Sequence, residues 1–148
     1  MQLYRKRFQE LTTDELYRIL KLRIDVFVVE QNCPYPETDD LDRDAIHVWM
    51  EDENGILAYL RVMDKGVENE YASIGRVIAV KRRCGLGSQI LSEGIRAARD
   101  FFQAESIYLE AQAYAKEFYE KAGFRQISDV FLLDGIPHIK MLMDNPDR

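Results

Sequence analysis

The sequence predicts a single α/β domain over residues 1–148, with a mixed, mostly antiparallel sheet flanked by helices. Three observations point there. Short strand-like runs stand before, between and after two helical patterns. The dipeptides Asn54-Gly55 and Asp134-Gly135 each join two such runs as hairpin turns. The runs that begin at Ser73 and Ser106 have a helical pattern between them, so they form a central parallel pair through a right-handed crossover.

The elements follow in order. Residues 2–8 alternate and read as a strand. Thr12-Thr13-Asp14-Glu15 is a helix start with acids in its first turn. Leu16, Ile19, Leu20, Arg23, Phe27 and Glu30 recur at helical spacing, so one long helix or a broken pair runs to about Gln31. Residues 32–44 contain Pro34, Pro36 and many acids and form a loop. Strands 46–51 and 56–63 flank Asn54-Gly55, a polar connection covers 64–70, and the next strand is 73–80. A helical pattern spans 88–102 and a strand spans 106–112. A short helix over 114–121 ends at Gly123, which suits a left-handed cap. Residues 124–132 and 136–143 close the chain as a hairpin.

Composition bounds the function. Hydrophobic residues are 47% and charged residues 31% of 148, the balance of a soluble globular domain with a sizeable core. No apolar run approaches membrane-spanning length, and the first residues lack the apolar stretch of a signal peptide, so a cytoplasmic protein with no membrane role is expected. Cys33 and Cys84 form neither a CxxC pair nor a disulfide framework, which suits a reducing compartment. With only His47 and His138 beside them, no metal site is expected.

The net charge of −6 argues against nucleic acid as a partner. The charge is unevenly spread. Residues 30–53 carry Glu30, Glu37, Asp39, Asp40, Asp42, Asp44, Glu51, Asp52 and Glu53 against Arg43 alone. Residues 74–99 carry Arg76, Lys81, Arg82, Arg83, Arg96 and Arg99 against Glu93 alone. The basic segment suits a phosphorylated ligand; the acidic one suits a cationic or amine substrate, or is a solvated loop.

Arg82-Arg83-Cys84-Gly85-Leu86-Gly87 joins the strand at 73–80 to the helix that follows. Glycines let backbone approach an anion, and the free N–H groups and positive dipole end of a helix N-terminus then point at it. A Walker loop needs Lys after its second glycine, and Ser88 stands there. A dinucleotide fingerprint needs glycine three residues after Gly87, and Ile90 stands there. What fits is R-x-x-G-x-G, with Arg82, Gly85 and Gly87 in register.

That loop resembles the acyl-CoA pyrophosphate loop of the GNAT superfamily of N-acetyltransferases. A second segment, Glu117-Phe118-Tyr119-Glu120-Lys121-Ala122-Gly123-Phe124, resembles the family's YEKxGF segment. The resemblance is nearest the ElaA-like branch. It is carried by residues 23–31, by Cys33-Pro34-Tyr35-Pro36-Glu37 with Asp39, Asp42 and His47, by Gly75-Arg76-Val77, by Ala111-Gln112-Ala113 and by Asp134-Gly135-Ile136-Pro137-His138-Ile139. It covers nearly the whole chain.

The resemblance implies acetyl-CoA as co-substrate, no metal, and direct acetyl transfer to a primary amine of a small molecule or peptide. CoA lies between the two parallel strands, which splay apart. Ile78, Ala79 and Val80 pair with its pantetheine arm, and one of their N–H groups polarises the thioester. Arg82, Arg83, Gly85, Leu86, Gly87 and Ser88 hold the pyrophosphate. Gln112 stands where many relatives carry Asn and reaches the cofactor or a strand end. Tyr119 matches the tyrosine that protonates the thiolate leaving group. A base must deprotonate the amine, and Glu30 and His138 are the candidates, beside Glu110, Glu37, Asp39 and Asp42. Residues 76–82 run about two residues short of the family pattern, so which strand N–H faces the thioester stays open. Cys84 is too crowded by phosphate to be a nucleophile. His47 and Trp49 share a strand face that is either core or cleft wall.

Two other readings remain. One is an acyl-CoA-binding sensor without turnover. The other is an acyl-homoserine lactone synthase, a fold relative faintly similar at Arg23, Phe27, Asp39, Asp42 and Arg61. A homodimer through the final hairpin's edge strands is also compatible.

Overall fold

In the computed structural model, which describes residues 1–81 and 84–146, elements start and stop where their side chains dictate. Strand β1 (Gln2–Arg7) leads to α1 (Thr13–Arg23). The Thr12 hydroxyl accepts from the Glu15 N–H at 3.0 Å, and the Glu15 carboxylate accepts from the Thr12 N–H at 2.9 Å. This reciprocal capping box satisfies two donors that the first turn leaves free. The helical path continues as a wider π turn over Ile24–Glu30, so the single long helix of the sequence is one axis with a change of pitch.

The remaining elements are β2 (Ala45–Asp52), β3 (Gly55–Met63), β4 (Ala72–Ala79), α2 (Leu86–Phe102), β5 (Ser106–Gln112), α3 (Lys116–Lys121), β6 (Arg125–Gln126), β7 (Phe131–Leu133) and β8 (Ile136–Asp144). The sheet order is β1-β2-β3-β4-β5-β8-β6, with β7 also on β8. All pairings are antiparallel except β4 with β5. The strand expected over 124–132 is interrupted. Residues 128–130 leave the ladder, and the Ser128 hydroxyl takes up the Lys140 N–H at 2.9 Å. Asp134 and Gly135 both have positive φ, as a two-residue hairpin with the strands' own twist requires.

Alternation along the strands sorts side chains into two layers. On one face Ile46, Val48, Ala58, Leu60, Ile74, Ile107, Leu109, Ile139 and Met141 meet Ile90, Leu91, Ala97 and Ala98 of α2. The approach is close because Gly94 lies against the sheet: a Cβ there would stand 2.7 Å from Leu60 Cδ2. On the other face Ile19 packs on Trp49, Tyr59 and Ile78. Trp49 and His47 are both fully buried, so they belong to the core rather than to a cleft wall.

Asp40 and Asp44 of the acidic loop are exposed, but its other acids are not free to meet a cation from solvent. Glu37 and Asp42 are buried, and the three acids at 37, 39 and 42 turn inward onto Arg23, Arg61 and Arg76. Arg23, wholly buried, lies 2.6 Å from both Glu37 and Asp42. Arg61 donates to Asp39 and Asp42, each at 2.9 Å through Nη1. These arginines explain why buried carboxylates are tolerated here. His47 closes the network. Its Nε2 lies 2.9 Å from the Asp42 carbonyl, which only accepts, so Nε2 carries the hydrogen and Nδ1 accepts from the Tyr59 hydroxyl at 2.7 Å. Burial pushes His47 below the usual imidazole range and keeps it neutral.

Candidate active site

The centre of the sheet is open. Strands β4 and β5 pair only at Ala72 with Ile107 and at Ser73 with Tyr108, after which residues 74–79 have no ladder partner on the β5 side among the described residues. A parallel pair that closes at one end and parts at the other leaves a wedge lined by unpaired backbone, the condition for an extended ligand to add as a strand.

Which amides face the wedge is set by a bulge in β4. Arg61 lies opposite Gly75, but Tyr59 lies opposite Ile78, so Leu60 faces both Arg76 and Val77. The Val80 N–H donates to the Leu57 carbonyl at 2.9 Å. Alternation then turns the backbone of Ile78 toward β3 as well, and that of Ala79 toward the wedge. Of Ile78, Ala79 and Val80, the three residues expected from sequence to line the cofactor, Ala79 carries the amide that faces the wedge. The sequence held a signal for this: the α2-facing residues Ala72, Ile74, Val77 and Ala79 are spaced two, three, two.

Past β4 the chain reaches the glycine loop. Arg82 and Arg83 fall outside the described residues. Gly85, at φ +80°, caps α2, and the first helical bond runs from the Gln89 N–H to the Gly85 carbonyl at 3.0 Å. The amides of Leu86, Gly87 and Ser88 precede that bond, and no side chain caps them among the described residues. This helix end therefore presents uncompensated donors and a positive dipole end. Gly87 also lets α3 pack close to this helix start: a Cβ there would stand 3.3 Å from Phe118. A cavity of about 380 Å³ continues from Ser88 and Ser92 past Arg96 toward Phe118 and Lys121.

Tyr119 lies on α3, edge-on to Phe118 at 5.0 Å and to Phe124 at 6.1 Å. It is part of that aromatic group, yet its hydroxyl has no hydrogen-bond partner among the described residues. Burial, with Tyr114 adding to it, pushes this hydroxyl up to about 12, so it stays protonated at neutral pH and can only donate or relay a proton. Gly123 ends the helix at φ +110°, with the Phe124 N–H bonded to the Tyr119 carbonyl at 3.1 Å, which ties the tyrosine's turn to the core.

His138 on β8 lies opposite Gln112, the last residue of β5. Its Nδ1 is 2.7 Å from the Ile136 carbonyl and must donate to it. The second nitrogen, Nε2, is then the unprotonated one in the neutral ring. Phe131 stands beside the ring at 6.2 Å. The Gln112 side-chain amide makes no hydrogen bond among the described residues. Glu30 ends the first helical run, exposed and without an ion pair among the described residues. Glu110 receives the Tyr108 hydroxyl at 2.6 Å, and burial and the Glu110 charge raise the pKa of Glu68 nearby. The carboxylates at 37, 39 and 42 are consumed by arginines. Arg61, Arg23 and these acids form one structural network in this chain. Among the described residues no group of His, Cys, Asp and Glu is arranged to hold a metal ion, and no helix is long and apolar enough to cross a membrane.

Comparison with known proteins agrees with this geometry. The family described as the acetyltransferase (GNAT) domain matches residues 21–145. A UPF0039 protein of Schizosaccharomyces pombe is 36% identical over 143 residues, covering 94% of each chain. Protein ElaA of Escherichia coli (strain K12) is 40% identical over 138 residues, covering 89% of each. The crystal structure of an acyl-CoA N-acyltransferase from Pseudomonas aeruginosa superposes with a TM-score of 0.91 at 39% identity, covering 97% of this chain and 99% of that one. A wedge in the sheet, an uncapped glycine-bearing helix start beyond it and a matching family over most of the length lead to one assignment: the chain belongs to the GNAT family of acyltransferases.

Proposed function

We propose that this chain moves an acetyl group from acetyl-CoA to a primary amine of a small molecule or peptide, by direct attack within a ternary complex. The observation that carries the reading is the wedge: β4 and β5 part after Ser73, the Ala79 amide faces the opening, and the α2 N-terminus stands beyond it. The pantetheine arm adds between the strands, and the amides at 85–88, with Arg82 and Arg83, take the pyrophosphate. The cavity along Ser92, Arg96 and Lys121 suits the nucleotide end, since three cationic side chains, Arg96, Arg99 and Lys121, line it.

The chemistry follows from the same groups. The Ala79 N–H stabilises charge on the thioester oxygen, a contribution of roughly 3 kcal/mol for one well-placed donor. The amine loses its proton to His138 Nε2, directly or through water, while Ile136 holds the ring's other hydrogen; Glu30 is the less favoured base because nothing orients it. The amine nitrogen forms a bond to the acetyl carbon, the C–S bond breaks, Tyr119 gives its hydroxyl proton to the departing sulfur, and the second proton that the nitrogen sheds as it becomes an amide restores the Tyr119 hydroxyl. Gln112, opposite His138, orients the cofactor or a water.

The test is CoA release from acetyl-CoA across a panel of amines, read with a thiol reagent. Thiol formation that depends on an added amine supports the proposal. Tight CoA binding with no amine-dependent release, unchanged in Tyr119→Phe, would make the chain an acyl-CoA sensor. A homoserine-lactone product would make it a synthase.

A further inference from the structure

The bulge in β4 decides which amide faces the wedge, and its central residue is poorly suited to the backbone it adopts. Arg76 has φ +53°, in the left-handed region that a non-glycine side chain disfavours. Something outside the strand must hold it there. Its guanidinium is gripped from the loop that follows α1. Nε lies 2.9 Å from one Glu37 oxygen and 3.0 Å from the other. Nη2 donates to the Glu37 carbonyl at 3.1 Å and to Asp39 at 3.4 Å. The ring of Tyr35 lies 5.8 Å from its carbon. Glu37 is itself anchored by wholly buried Arg23 at 2.6 Å and by the Tyr35 hydroxyl. The loop is thereby tied at one end to α1 and at the other to the bulge.

We propose that Glu37 is a positioning residue for acyl transfer: through Arg76 it holds the left-handed bulge of β4 and so aims the Ala79 N–H into the wedge. The inference rests on the acyl-CoA reading above. The register shows what is at stake. Without the extra residue, Arg61 opposite Gly75 would continue as Tyr59 opposite Val77 and Leu57 opposite Ala79. The Ala79 amide would then bond to β3, and those of Ile78 and Val80 would face the wedge from displaced positions. One residue's φ selects between two hydrogen-bonding patterns, and Glu37 biases the choice without touching the substrate.

Two substitutions at Arg76 separate the grip from the backbone. Arg76→Ala removes the guanidinium and keeps the Cβ that disfavours positive φ; Arg76→Gly removes both. We expect Arg76→Ala to lower kcat about tenfold or more, with KM for acetyl-CoA changed less than about threefold, because a misaimed oxyanion donor acts on the transition state. Arg76→Gly should recover to within about threefold of the native rate, since glycine accepts the bulge unaided. Glu37→Gln should fall between them. Amide hydrogen exchange reads the bulge with no ligand present. In the native protein Ile78 and Val80 should be protected and Ala79 should exchange fast, a contrast that Arg76→Ala blurs and Arg76→Gly restores. Native exchange and native kcat in Arg76→Ala would overturn the inference. So would Arg76→Gly as slow as Arg76→Ala with intact exchange, which would put the role in the guanidinium itself. A native protein that neither binds CoA nor releases thiol would overturn the acyl-CoA reading, and the exchange contrast would still judge the bulge.

Discussion

In the proposed reaction Tyr119 and His138 divide the proton work between one group that donates its hydrogen and one that accepts. Tyr119, pushed up to about 12, has a free hydroxyl framed by Phe118 and Phe124. Tyr119→Phe keeps the ring packing and deletes the proton, so kcat should fall roughly a hundredfold, the lower end of acid–base contributions, with stability unchanged. Steady-state thiol release together with a melting curve checks both halves of that statement. His138→Ala should lower kcat similarly and be partly restored by added imidazole, because the cavity keeps the Ile136 carbonyl that orients a guest ring. At this scale the sequence singled out Tyr119 through the segment around it, and the structure leaves that hydroxyl without a hydrogen-bond partner among the described residues. It was less legible for a backbone amide: the direction of the Ala79 N–H depends on a bulge that no single residue type announces and that shows only in the uneven spacing of Ala72, Ile74, Val77 and Ala79.

Elements were the most legible level, because each start and stop has a local cause. The Thr12 capping box, the Asp134-Gly135 turn and the Gly123 end stand where the residues put them. The break in the strand at residues 128–130 was not legible, since Ser128 takes a ladder position through its side chain. Two glycines show how helices are fitted to the sheet. Gly94→Ala drives a methyl to 2.7 Å from Leu60, so the protein should lose about 1–3 kcal/mol to overpacking, a drop of roughly 3–10 °C in Tm by calorimetry. Gly87→Ala meets only the edge of the Phe118 ring at 3.3 Å, which can turn aside. Its effect should appear in CoA affinity, about tenfold weaker by titration calorimetry, with little change in Tm.

For the molecule as a whole, the buried arginine–carboxylate network sets the response to acid. Arg61 first among the charges holds the Asp39 carboxyl near 2 against its own burial, and Arg23 lowers Asp42 likewise. A carboxylate depressed in the folded state contributes stability that is present above its unfolded value near 4 and is lost as pH falls toward the folded value. His47, depressed by burial, adds an earlier loss: below about 6.5 the unfolded chain takes up a proton that the folded one refuses. Tm should therefore decline in two stages, gently below pH 6.5 and steeply between about pH 4 and 2, with the first stage absent in His47→Gln. The existence of this network was hidden in the sequence, where its acids and its arginines lie far apart and only the sheet brings them together. The two-rung join of β4 to β5 has a consequence of its own. At Ala72 and Ser73 the sheet is riveted, and elsewhere along that line, among the described residues, β1–β4 and β5–β8 are two leaves of a book. On the proposed reading, whatever slides into the fold of the page is no mere passenger: by bonding to both leaves it becomes the missing strand, and the reactant serves for the length of a turnover as part of the scaffold that reacts with it.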